Sequence, residues 1–131
     1  MSNISRISES EWKVMEVVWA APPVTAQQVT HALGEVESWK SQTVKTLLAR
    51  LVKKGVLRSE SEGNRFLYFP EIMRQDAVRA ETSSFLDRIS RGSLVPMLAQ
   101  LVKGQRPLSV EEIDALRKLL PENQNGKGQK L

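Results

Sequence analysis

The sequence predicts a mainly α-helical chain with one small β-ribbon, and three observations carry that prediction. Ser8 with Glu11, Thr25 with Gln28, and Ser109 with Glu112 each place Ser or Thr three residues ahead of Glu or Gln, the capping box that opens a helix. Val44, Leu47, Leu48, Leu51 and Val52 recur at i, i+3, i+4, i+7 and i+8, the apolar stripe of an amphipathic helix. Glu62-Gly63-Asn64 is a turn signal between two short runs rich in strand-forming residues.

In chain order, residues 1–7 read as a short polar arm. Ser8 caps helix 1, which runs to about Ala20 and buries Trp12, Met15 and Trp19 with Val18 beside them; Pro22-Pro23 stops it. Val24 is extended. Thr25 opens helix 2, which buries Ala26, Val29 and Leu33 and ends near Gly34. Ser41 then caps helix 3, contacts phosphate, or does both, and Gly55 supplies the left-handed residue just past Lys54. Val56 to Glu60 reads as a strand and Arg65 to Phe69 as its return, ended by Pro70. Three short helices followed by a two-stranded ribbon make a winged helix-turn-helix over residues 1–70.

A second helical domain is expected over 71–121. Its first helix runs from about Ile72 to Ser90, closed by Gly92. Ser93 caps the next, whose stripe is Leu94, Met97, Leu98, Leu101 and Val102, with Pro96 harmless in the first turn. Gly104 and Pro107 break the chain, and Ser109 opens a helix with Ile113, Leu116, Leu119 and Leu120 on one side. Residues 122–131 are polar and expected to be disordered. Two short leucine-rich helices cannot bury their stripes on each other alone. A second copy of the chain covers them most economically, so a twofold homodimer is expected.

The outer face of helix 3 carries the chemistry. At about 100° per residue, Gln42, Thr43, Lys45, Thr46, Ala49, Arg50 and Lys53 lie opposite the apolar stripe, with no carboxylate among them. Phosphates are drawn to such a face, and Gln, Thr and Arg can read base edges. Between Ser38 and Arg65 there are seven cations (Lys40, Lys45, Arg50, Lys53, Lys54, Arg58 and Arg65) against Glu60 and Glu62, a net +5 that leaves the rest of the chain at −1 within the total of +4. Double-stranded DNA is the expected partner. Gln42, Thr43 and Thr46 are candidates for base edges; Lys40, Ser41, Lys45, Arg50 and Lys53 for phosphates; Asn64 and Arg65 for contacts from the wing. Trp39 either packs under the loop, the favoured reading, or stacks near the DNA backbone.

Other chemistries find no support. The chain has no Cys, which removes disulfides, thiolate zinc sites and thiol catalysis, and fits a reducing cytoplasm. His31 stands alone, so no metal or cofactor is expected, and no nucleophile elbow, P-loop or dinucleotide fingerprint suggests an enzyme. Glu111, Glu112 and Asp114 are explained by a helix start. No signal peptide or long apolar run points to a membrane.

The combination of Ile7-Ser8-Glu9-Ser10-Glu11-Trp12, Val14-Met15, Trp19, Val24-Thr25-Ala26 and the run from Thr43 to Gly55 resembles the penicillinase-repressor (BlaI/MecI/CopY) family. The likeness continues weakly through Phe85-Leu86 and Leu116, so that it covers about residues 4–120. It implies an N-terminal winged helix that binds operator DNA, a C-terminal domain that dimerises, and repression of resistance genes. In the β-lactam branch of that family, an activated membrane sensor leads to proteolysis at an Asn-Phe pair in the dimerisation domain; Gln100-Leu101 stands at the matching place. The Cys-x-Cys pairs by which the copper branch binds Cu(I) are missing, which excludes copper sensing by that route. Three other readings stay open: a repressor of the same fold with a different inducing signal, a sequence-indifferent architectural DNA binder, and a module whose winged helix meets a partner protein.

Overall fold

A computed structural model of the chain describes residues 6–89, 93–104 and 107–120. The polar arm through Ser5, the Gly92 helix stop and the tail from Glu122 lie outside the described residues. The chain forms two compact units, Met1–Leu86 and Asp87–Leu131.

The first unit is built on three helices. In α1 (Glu9–Ala20) the Ser8 hydroxyl accepts the Glu11 N–H at 3.1 Å, and the Glu11 carboxylate accepts the Ser8 N–H at 2.9 Å. Thr25 and Gln28 repeat the box at the start of α2 (Ala26–Glu37), at 3.1 and 2.8 Å. Val14, Met15 and Val18 of α1 and Val29 of α2 are fully buried against Val44, Leu48 and Leu51 of α3 (Ser41–Lys53), with Leu47 nearly so.

Several expectations are corrected. Helix 2 does not stop at Gly34; it continues to Glu37, and Ser38 makes the turn at φ 60°. A Cβ at Gly34 would meet only the Trp39 carbonyl at 3.7 Å, so nothing local demands a break there. The extra turn lets Glu37 accept from Lys13 of α1 at 3.0 Å, while Trp39 packs half-buried against the core. Trp12 and Trp19 are also only half-buried. They meet edge to face at 5.3 Å, and their indole N–H groups reach Glu16 and the Ile72 carbonyl at the rim.

The end of α3 is locked twice. Gly55, at φ 82°, donates to the Val52 carbonyl and Val56 to the Leu51 carbonyl, each at 3.0 Å, a Schellman motif in which buried Val56 meets buried Leu51. Lys54 then turns back to α1, where its Nζ donates to the Glu11 carboxylate at 2.5 Å and to the Arg6 carbonyl at 2.7 Å. Glu11 is 2% exposed. Burial pushes its carboxyl up, but hydrogen bonds from Lys54 and the Ser8 N–H, with the Lys54 charge, outweigh that and hold it below its ordinary value.

The ribbon pairs β1 (Leu57–Glu62) with β2 (Arg65–Pro70) antiparallel, from Leu57 opposite Pro70 to Glu62 opposite Arg65. The two-residue turn has positive φ at Gly63 (66°) but not at Asn64, the φ pattern of a type II′ hairpin. Pro70 is the last strand residue rather than a stop beyond it. Val24 and Tyr68 exchange backbone hydrogen bonds at 3.2 and 2.7 Å, tying the ribbon to the segment before α2. The chain then enters α4 (Arg74–Ile89), on which only Ala77 is buried.

In the second unit, α5 (Val95–Lys103) and α6 (Val110–Leu119) bury no residue. The Ser109–Glu112 box opens α6 as expected, at 3.0 Å in both directions. Leu94, not Ser93, occupies the cap position of α5, although the Ser93 hydroxyl still accepts the Val95 N–H at 3.1 Å. Leu94, Leu98, Leu101, Val102, Leu116, Leu119 and Leu120 are exposed, and Met97 and Ile113 are intermediate.

Two measurements test this packing. Leu48→Ala is expected to destabilise the first unit by about 2–5 kcal/mol in chemical denaturation, because the site is sealed from several sides. The native Glu11 carboxyl titrates below its unfolded value, so the stability it confers is complete above the ordinary carboxylate range and fades as pH falls through the native value. Glu11→Gln should therefore be less stable than wild type at neutral pH, with the gap in denaturation midpoint closing in acid.

Candidate nucleic-acid interface

The register of α3 decides which residues face outward. With Val44, Leu47, Leu48 and Leu51 buried, Ser41, Gln42, Thr43, Lys45, Thr46, Ala49, Arg50 and Lys53 are all exposed. Ser41 is the first helical residue, not the cap. Lys40 takes the extended cap conformation (φ −92°, ψ 165°) without a side-chain cap bond, and its carbonyl accepts the Val44 N–H at 3.2 Å.

Gln42, Thr43, Thr46 and Arg50 line one shallow hollow of about 240 Å³ over Leu47. Within it the Gln42 amide lies 3.5 Å from the Thr46 hydroxyl. A larger cleft of about 490 Å³ brings Lys45 of α3 together with Asn64 and Arg65 of the ribbon tip. Gln27 of α2 and Phe66, which is 53% exposed, also line that cleft, and the sequence reading missed both. The signal for Phe66 was its place in the outer half of a ribbon too short to bury both faces.

Charge is distributed unevenly between helix and ribbon. Both carboxylates of the basic window are engaged on the ribbon. Glu62 accepts from Arg65 at 2.7 Å, and Glu60 pairs with Arg58, which also reaches Glu71 at 2.8 Å and sits 4.3 Å over the Phe69 ring. Those carboxylates hold the Arg58 guanidinium above its ordinary value. Lys54 is committed to Glu11. Among the described residues, none of Lys40, Lys45, Arg50 and Lys53 has an ion pair. Within the basic window, the positive charge left without an ion pair among the described residues is therefore concentrated on α3 and the residue that caps it.

The remaining predicted residues lie in the second unit. Gln100 and Leu101 fall in the last turn of α5, where the Gln100 carbonyl accepts the Gly104 N–H at 2.7 Å. Among the described residues, no helix is long and apolar enough to cross a membrane, and no three His, Cys, Asp or Glu side chains are grouped to hold a metal.

Comparison with known proteins agrees with this geometry. The penicillinase repressor family model matches residues 7–122. The penicillinase repressor of Bacillus licheniformis is 35% identical over 127 residues, covering 97% of this chain and 98% of its own length. The methicillin resistance regulatory protein MecI of Staphylococcus aureus strain N315 is 26% identical over 114 residues, covering 87% and 92%. Among solved structures, the DNA-binding domain of the repressor BlaI superposes with a TM-score of 0.52 at 37% identity, over 58% of this chain and 93% of that one. The monomeric form of Bacillus licheniformis BlaI in complex with the blaP half-operator gives 0.51 at the same identity and coverage. The chain belongs to the penicillinase repressor family of transcriptional repressors.

Proposed function

We propose that this repressor acts as a homodimer on a near-palindromic operator, with residues 1–70 meeting DNA and residues 71–121 pairing the two chains. The observation that carries the DNA half is the exposed outer face of α3, with Lys45, Arg50 and Lys53 unpaired among the described residues and Lys40 at its start. The superposable monomeric BlaI of Bacillus licheniformis, solved in complex with a half-operator, supports operator DNA as the partner. Gln42, Thr43 and Thr46 read base edges; Lys40, Ser41, Lys45, Arg50 and Lys53 hold phosphates; Asn64 and Arg65 approach from the wing. To reach a phosphate, Arg65 gives up its Glu62 partner, a solvent-exposed pair that costs little to break.

The pairing half rests on the uncovered leucines. Leu94, Met97, Leu98, Leu101 and Val102, with Ile113, Leu116, Leu119 and Leu120, offer an apolar surface that a second copy covers. Pairing sets two recognition helices about 34 Å apart on successive major grooves. Relief comes from a sensor-linked protease that cuts between Gln100 and Leu101. That bond lies in the last turn of a helix, where unwinding costs least, and the cut detaches α6 from the winged helix. The relatives named for penicillinase and methicillin resistance support resistance genes as the targets.

Specific affinity is expected within roughly 10⁻⁸–10⁻¹¹ M, with a log–log salt slope of about −0.9 for each phosphate engaged. Fluorescence anisotropy against operator and random duplexes checks both. A uniform affinity for all duplexes points to an architectural protein, and no binding at low salt points to a protein-interaction module. Arg50→Ala should weaken binding to every sequence about equally and flatten the salt slope. Gln42→Ala should instead erase about 1–3 kcal/mol of discrimination at one base pair per half-site. Competition with single-base operator variants separates the two.

A further inference from the structure

The helix that follows the ribbon is tied to the winged helix by polar contacts. Helix α4 starts in the first compact unit and runs past its limit at Leu86 into the second. Its only buried residue is Ala77, and one alanine grips little. Two polar contacts tie it to the winged helix. At its first turn, Arg74 donates from Nε and Nη2 to the two oxygens of Glu16 of α1, both at 2.9 Å. Two turns later, Glu81 accepts the N–H of buried Ile7 at 3.3 Å and faces the Arg6 guanidinium at 3.9 Å. Those points lie about 10 Å apart along the helix axis, enough to set its direction as well as its place. The second anchor also reaches the outer helix, because the Arg6 carbonyl accepts from the same Lys54 ammonium that closes α3 onto Glu11.

We propose that Arg74 and Glu81 are positioning residues that fix the direction of α4 on the winged helix, and so set the half-site spacing a pair of chains accepts. The inference rests on the dimeric, DNA-binding reading above. Once one winged helix is bound, the second binds intramolecularly, at an effective concentration governed by the stiffness of the connection. A rigid exit concentrates the second domain at one spacing. A loosened exit spreads it over many and lowers its concentration at each.

The test uses the full chain, an operator duplex that the wild type selects from a random library, its isolated half-site, and a series with base pairs inserted between half-sites. Arg74→Ala with Glu81→Ala should leave half-site affinity within about twofold. It should weaken full-operator binding about tenfold at the preferred spacing and flatten the dependence on spacer length. The conservative pair Arg74→Lys with Glu81→Gln keeps a cation for Glu16 and an acceptor for Ile7, and should restore most of the spacing preference. An unchanged spacer profile overturns the proposal alone. Equal losses on half and full operator also overturn it, since they report a damaged winged helix. A wild-type chain that selects no duplex overturns the DNA-binding reading, and this inference with it.

Discussion

The structure depends on how one face of α3 is sealed. Val44, Leu47, Leu48 and Leu51 are each 5% exposed or less, and each contributes roughly 1.5–3 kcal/mol by leaving water. Turning the helix by one residue would rotate it about 100° and drive Lys45 toward the core while lifting Val44 into solvent. Neither change is tolerable, so the orientation of the outer face follows from the burial of the inner one. Gln42, Thr43, Thr46 and Arg50 need no partners of their own to be presented. They are aimed by what lies beneath them.

Electrostatics refines what burial begins. The basic window holds seven cations, yet the fold uses them differently. Lys54 crosses to a carboxylate buried in α1, and Arg58 and Arg65 are engaged by acids on or beside the ribbon. What remains uncompensated lies on α3 and at Lys40. The Glu11–Lys54 pair, buried at its carboxylate and half-buried at its ammonium, stabilises only because both partners are present and Ser8 supplies a further donor; a lone carboxylate at 2% exposure would be strongly unfavourable. One ion pair thus holds the end of the helix and removes a cation from its surface.

What the sequence made legible was local. All three capping boxes appear where Ser8, Thr25 and Ser109 announce them, because partners three residues apart meet in any helix start. Gly55 was readable for a similar reason, since a left-handed residue one step past a helix nearly demands glycine. Gly34 misled, because the stop of α2 is decided by the Glu37–Lys13 contact and by Trp39 packing, and Ser38 accepts the strain. Ser41 misled by its residue type, while Lys40 adopts the extended conformation the cap requires. In the site, the outward face was legible from periodicity alone. The diversion of Lys54 to Glu11, 43 positions away, was not, nor was the meeting of Gln27 and Phe66 with Lys45.

The bare leucines of α5 and α6 carry a consequence for dosage. Helices of this length that shelter none of their own side chains are marginal in isolation, so their order is lent by whatever covers them. With a second copy as the proposed cover, the paired form tracks the square of the free-chain concentration. Under that proposal, a cell that halves its stock of this protein loses more than half of the paired form, which makes the response to dilution or turnover steeper than the change that provokes it.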